Sequence, residues 1–374
     1  MTRFELSISP NYVPDWTPVD AIREIFQNAL DQQTENPENP MSWEYSPEDR
    51  TLIISSKLSK LSTSSLLFGE GDKADKADLI GAFGEGYKLA LLVLTRLDKP
   101  VTIQNYGQKE LWTPSIEYSP KYGKKILIIR TKRHIFKAPP DNDLTFILEE
   151  IDPVLYAAVA RSNLHILPPD KTISTPFGRV LLDDRQTGRI YVNGLFVCTD
   201  KDFRYGYDIH PKYLKLGRDR KLVSSFDLKW ITSHIWAKIN DLDLISTIIE
   251  QGMPDVAYIV TANYQTSRIY FHMRTDFISR YGHRAIPVSS QKERDDIRQT
   301  CPGLRPIFVK PGHREILSHY YRELIEKSGR FHKAKSPNEI LTNFLESYGV
   351  QLDTEAVSAL RQIVTNSEQW VWED

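Results

Sequence analysis

At 374 residues the chain is longer than one comfortable hydrophobic core, so two or three domains are expected. Its 48 basic and 49 acidic residues leave a net charge of -1, which excludes binding to nucleic acid by bulk charge and leaves room only for a local basic patch. Cys198 and Cys301 are too few for a disulfide framework and have no metal-ligand spacing, so both are expected to be free thiols.

The first helix is expected to begin near Pro18 and to run to about residue 33, since proline is tolerated in a first turn and the following NPENP is a breaker. Within it, IREIFQNALDQ (22–32) sets Glu24, Asn28 and Asp31 at i, i+4 and i+7, on one helical face. Ile22, Ile25, Phe26, Ala29 and Leu30 fill the rest, so the helix belongs in a core and its polar stripe needs partners. TLIISS (51–56) reads as a strand, followed by a loop-rich stretch with a short helical piece around 64–68. The loop Gly81-Ala-Phe-Gly84-Glu85-Gly86-Tyr87-Lys88 then runs into the apolar helix LALLVL (89–94), a run too short to span a membrane. Glycines of this kind let backbone N–H groups close on phosphate oxygens, with the helix N-terminus behind them. The loop lacks the Gly-Lys-Ser/Thr ending of a P-loop and has no strand running into it, as a dinucleotide fingerprint would.

VTIQNYG, KKILIIR and DLTFILEEI read as strands of an antiparallel or mixed sheet. A second region begins near Pro168, where GRIYVNGLFVC (188–198) is a hairpin around an Asn-Gly turn and YLKLGRDRK leads to a helix from 225 or 226. Farther on, AIPVSS, QKERDDIRQT, LRPIFVKPG and HREILSHYYRELIEKSG alternate strand and helix, which predicts parallel strands. The tail reads as two helices. His134, His165 and His210 form no metal set, and Tyr205 and Tyr207 are expected to pack rather than to stack on bases. MTRFELSISP carries no apolar signal region, so a cytoplasmic protein is expected.

The acidic helix, the strand and the glycine loop together resemble the GHKL ATPases: gyrase B, the Hsp90 chaperones, MutL, histidine kinases and the MORC proteins. The resemblance covers roughly residues 15–150. It implies an α/β sandwich of the Bergerat type over 1–165, an S5-like α/β transducer over 166–255, a small α/β unit over 256–335 and a helical tail over 336–374. In local motifs it is nearest the Hsp90 and MORC types, the Gly-Glu-Gly-Tyr-Lys form being MORC-like. By that resemblance Glu24 activates water, Asn28 holds Mg²⁺ on the phosphates of ATP, and Asp31 supports the site. Gly81, Gly84, Glu85, Gly86 and Tyr87 form the lid end that cradles phosphate, Lys88 contacts phosphate or lid, and Thr145 takes the place of a nucleotide-facing threonine. Arg218, with Arg220 as the alternative, matches the arginine that the second domain sends to the γ-phosphate. One departure stands out: Ser56 occupies the place of the base-reading aspartate, and Leu58 and Lys60 occupy those of two glycines. Slow Mg-dependent ATP hydrolysis driving a conformational or dimerisation switch is the implied function, with a nucleotide-dependent homodimer and a further protein partner. The alternatives are a hydrolysis-deficient scaffold that kept the fold, and a MutL- or gyrase-like factor acting on nucleic acid.

Overall fold

In the computed structural model, which describes residues 1–38, 40–66, 86–137, 143–214, 224–262, 266–328, 337–349 and 352–366, strand β1 (Thr2–Leu6) leads to helix α1 (Pro18–Glu35). Thr17 caps that helix. Its hydroxyl accepts from the Asp20 N–H at 3.3 Å, and the Asp20 carboxylate accepts from the Thr17 N–H at 2.8 Å. With Pro18 in the first turn, the start of α1 is set by local chemistry alone.

After α1 come β2 (Ser42–Ser46), β3 (Thr51–Ser56), a 3-10 turn (Thr63–Leu66), α2 (Gly86–Arg96) and β4 (Val101–Asn105). β5 (Glu110–Ser119), β6 (Lys124–Arg133) and β7 (Leu144–Leu148) complete a seven-stranded sheet in the order β1-β6-β5-β4-β7-β3-β2. Every neighbouring pair is antiparallel. Alternation sorts the two faces: β3 buries Leu52, Ile54 and Ser56 and leaves Ile53 and Ser55 partly exposed. Across the ladder Ile54 meets Phe146, which meets Ile103, and this face receives the helices. Ile22, Ile25 and Phe26 of α1 share its core with Ala90, Leu91 and Val93 of α2, each large side chain contributing about 1.5–3 kcal/mol by leaving water. Arg96, at the end of α2, donates to the carbonyls of Pro10 at 2.8 Å, Tyr12 at 3.0 Å and Val13 at 3.1 Å, which holds the loop before α1 in place.

α3 (Pro153–Arg161) is capped by Asp152, which accepts from the Leu155 N–H at 2.8 Å. β8 (Thr172–Thr175), β9 (Gly178–Leu181), β10 (Arg189–Val192), β11 (Leu195–Thr199) and β12 (Gly206–Ile209) then form a second sheet, in the order β11-β10-β12-β9-β8. The β10–β11 hairpin turns at Asn193 and Gly194, with φ of 50° and 79°, as an Asn-Gly turn requires. A Cβ on Gly194 would lie 2.5 Å from His165 Nε2, so the position admits only glycine. α4 (Ser225–Trp236) follows.

The remaining elements are α5 (Leu242–Gln251), α6 (Thr266–Tyr281), β13 (Ala285–Val288), α7 (Gln291–Thr300), β14 (Arg305–Phe308), α8 (Pro311–Ile316), α9 (Ser318–Lys327), α10 (Pro337–Tyr348) and α11 (Thr354–Asn366). β13 and β14 are parallel, in keeping with the strand–helix rhythm of the sequence. The single helix expected over 313–329 is instead two, α8 and α9, which meet at Leu317. By packing, Met1–Asp241 with Met253–Gln265 forms one compact unit, and Leu242–Gly252 with Thr266–Asp374 forms another. Among the described residues no helix is long and apolar enough to cross a membrane, and Cys198 and Cys301 are free.

Candidate functional site

α1 carries a polar stripe through the core. Glu24, Asn28 and Asp31 lie along it, and Arg23 and Gln27 run beside them at i, i+4 spacing. Glu24 is 0% exposed and Asp31 is 1% exposed, a depth at which carboxylates persist only with partners. Glu24 Oε1 accepts from Arg23 Nη2 at 2.9 Å. The other terminal nitrogen of Arg23, Nη1, donates to the Phe196 carbonyl on β11 at 3.1 Å, so one guanidinium joins the Glu24 carboxylate to the second sheet. Beside it a cavity of about 290 Å³ is lined by Asp20, Arg23, Ser162, Phe196 and Cys198 among others. The Cys198 thiol there is pushed up in pKa by burial, which keeps it protonated and unreactive.

Asn28 Nδ2 donates to the Glu24 carbonyl at 2.9 Å, one turn back on the same helix. That bond engages the amide nitrogen and leaves the carboxamide oxygen an acceptor by its chemistry. Lys88 on α2, which packs against α1, is fully buried, with Nζ 5.8 Å from the Tyr87 ring centroid. Tyr87 in turn donates from its hydroxyl to the Ser65 carbonyl at 2.8 Å, and burial pushes its pKa up to about 12. This bond fastens the first turn of α2, which begins at Gly86, to the 3-10 turn at Thr63–Leu66. Gly81, Gly84, Glu85, Arg218 and Arg220 lie outside the described residues.

Ser56 ends β3 on the face that α1 covers, and its register partner is Leu144, which also pairs with Asn105 of β4. Asn105 is a site-face residue with no motif to announce it. Its Nδ2 donates to the Leu61 carbonyl at 2.8 Å, while its Oδ1 is buried with no hydrogen-bond partner among the described residues. Thr145 stands one residue out of phase with Ser56. It pairs with Ser55, hydroxyl to hydroxyl at 2.8 Å, on the face turned away from α1. Asp143, just before β7, is a further buried carboxylate. It binds Lys57 Nζ at 3.0 Å and accepts from the Leu58 N–H at 3.4 Å. Glu24 and Asp31 on α1, Lys88 on α2 and Ser56 on β3 are all buried and Asn28 is half-buried, whereas Thr145 lies on the other face of the sheet from Ser56. Arg23 and Gln27 were available to sequence reasoning as the neighbouring row of the same helix; Asn105 and Asp143 were not.

This donor set suits a magnesium–nucleotide better than a protein-caged ion. Mg²⁺ on a nucleotide takes most ligands from phosphate and water, with one or two from protein, and a carboxamide oxygen such as that of Asn28 is of the right type. Among the described residues no group of three or more His, Cys, Asp or Glu could hold a metal by itself.

A family model described as the Mycoplasma pneumoniae MPN635 N-terminal domain matches residues 159–241. No curated protein matches the chain. Among solved structures the chain is similar to the ATPase region of Saccharomyces cerevisiae topoisomerase II bound to ICRF-187 (dexrazoxane), at 12% identity and a TM-score of 0.34, over 62% of this chain and 68% of that one. It is similar also to the ATPase and transducer domains of DNA topoisomerase II from Balamuthia mandrillaris, at 12% identity and a TM-score of 0.34, over 65% of this chain and 68% of that one.

Proposed function

We propose that the first compact unit binds ATP with Mg²⁺ in the GHKL manner and hydrolyses it slowly, as a nucleotide-driven switch. The observation that carries this reading is the polar stripe of α1: Glu24 and Asp31 are buried in an otherwise apolar core, Asn28 is half-buried between them, and α2, which packs against α1, buries Lys88. Polar groups at such depth cost free energy unless a partner or ligand meets them. In the proposed step the Glu24 carboxylate takes a proton from water as its oxygen attacks the γ-phosphorus. The bond to the β-phosphate oxygen breaks, and ADP and inorganic phosphate leave. Bound Mg²⁺, held through Asn28, would neutralise charge on the phosphate oxygens. By the resemblance, Lys88 would add a second cation there, backbone amides of Gly81–Gly86 would close on the phosphates, and Arg218 would come from the S5-like region. Ser56 offers the base a hydroxyl where a carboxylate would bind more strongly.

The Arg23 bridge supports slow turnover in particular. With one carboxylate oxygen bonded to Arg23, and Arg23 anchored on Phe196, Glu24 is restrained by the β10–β11 hairpin, and movement of that hairpin would change its freedom as a base. The same bridge, taken with Ser56, is the observation that favours the alternative of a scaffold without hydrolysis. A homodimer formed on ATP binding would follow from the switch reading, and sedimentation with and without an ATP analogue tests it.

The deciding experiment is calorimetric titration with Mg²⁺ and a non-hydrolysable ATP analogue, beside GTP and CTP analogues and an Asn28→Ala control. ATP binding that disappears in the control is expected. A folded protein that binds none of the three would end the nucleotide reading and leave the scaffold.

A further inference from the structure

In the second compact unit a cavity of about 430 Å³ opens at the carboxyl end of β14, where Val309 and Lys310 lead into α8. Crevices at the carboxyl ends of parallel strands are common ligand sites, and this volume is of small-molecule size. His313 of α8 lines it. The residue is 5% exposed, its ring stands edge-on to Phe277 with centroids 6.0 Å apart, and its Nε2 is buried with no hydrogen-bond partner among the described residues. Buried ring nitrogens are seldom left unpaired, and the cavity is the place a partner would occupy.

The charges around that imidazole decide what the partner is. Arg280 of α6 holds two carboxylates at once, Glu250 of α5 at 3.1 Å and Asp276 of α6 at 2.8 Å. Two carboxylates on one guanidinium leave that trio with a net charge of about -1. The charges acting on His313 are these three, from α5 and α6. Lys310 also lines the cavity; its stem lies over Gly252 at the end of α5, where a Cβ would come 3.1 Å from Lys310 Cγ, and its charge is not among those that act on His313. Burial lowers the His313 pKa, so the ring is neutral near pH 7 and Nε2 can accept a hydrogen bond. Phe277, Tyr281 and Phe308 supply aromatic surface, whose ring faces attract cations.

We propose that this cavity binds an organic cation: a protonated amine or guanidinium on an apolar stem, donating to His313 Nε2 and to carboxylate oxygens of Glu250 and Asp276. Free diamines carry that group, and so do lysine and arginine side chains of a peptide. The site is separate from the nucleotide site and does not depend on it.

The test follows the His313 ring Cε1–H signal by NMR in the full chain, assigned with His313→Gln. The probes are 1,4-diaminobutane, agmatine and Nα-acetyl-lysine N-methylamide, with butyrate and inorganic phosphate as anionic arms. The cations are expected to shift the signal saturably, and Asp276→Asn to weaken binding tenfold or more. Phe308→Ala, at a side chain 52% exposed, is expected to weaken it without threatening the fold, and so decides the matter if Asp276→Asn does not fold. Tighter binding of the lysine derivative assigns the peptide source, and tighter binding of the diamines assigns the free amine. Silence with every probe, a response to anions alone, or cation binding unchanged in both variants would overturn the proposal.

Discussion

Glu24 and Asp255 are both 0% exposed, and they are held in opposite ways. Asp255 Oδ1 accepts from the Tyr207 hydroxyl at 2.5 Å and the Tyr205 N–H at 3.2 Å, and Oδ2 accepts from the Arg204 N–H at 3.0 Å. Tyr207 in turn accepts from Trp236 Nε1 at 2.8 Å, so backbone and aromatic donors satisfy the whole network. Glu24 instead meets a guanidinium and lies in a row of further polar side chains, with Lys88 on the adjoining helix. A buried carboxylate alone therefore says little. One whose acceptors are filled by backbone and ring donors is a structural joint; one set among side chains that could also serve a ligand is a candidate for chemistry.

The contrast can be broken by substitution. Glu24→Gln should cut phosphate release by about 100-fold or more while analogue binding survives, because it removes the base and keeps the shape. A variant with unchanged turnover would strip Glu24 of its proposed role. Asp255→Ala should do the reverse, costing about 3 kcal/mol in denaturant unfolding by stranding several buried donors, with analogue affinity intact below the transition. Comparable destabilisation by Glu24→Gln would erase the distinction between joint and site. Tyr207→Phe removes a single hydroxyl from the same joint and should cost about 1 kcal/mol.

The smallest effect is on pH dependence. Burial raises the Asp255 pKa above its ordinary 3.8, so the folded chain keeps that proton where the unfolded chain has lost it. The stabilisation is complete below pH 3.8 and is lost as pH rises through the folded value, and Asp255→Asn should flatten the wild-type slope in that window. Parallel slopes in the two proteins would show that the joint does not titrate.

Much of this was legible in local signals. Thr17 and Pro18 mark the start of α1, Asn193-Gly194 marks the hairpin, and the alternating pattern after Ala285 gives the parallel pair. β2 was not legible, because SWEYS is a short polar strand that owes its form to pairing with β3. The break between α8 and α9 at Leu317 has no proline or glycine to announce it. At the site, helical period alone exposed Glu24, Asn28 and Asp31. Arg23 stands in the neighbouring row of that helix, but its bridge was not legible, because its second partner, Phe196, lies 173 residues away. The face of Thr145 could be settled only by register, since a shift of one residue in a strand reverses the side chain.

The Asp255 joint has a consequence for synthesis. Asp255 lies in Met253–Gln265, a stretch that rejoins the first unit only after the chain has left it at Asp241 to build α5. A nascent chain emerging from a ribosome therefore holds Tyr207 and the Arg204 and Tyr205 amides without their acceptor until that return has been made. The two units interleave along the chain, and no single cut yields either one whole: a fragment ending at Asp241 loses the carboxylate of the joint, and one beginning at Thr266 loses α5.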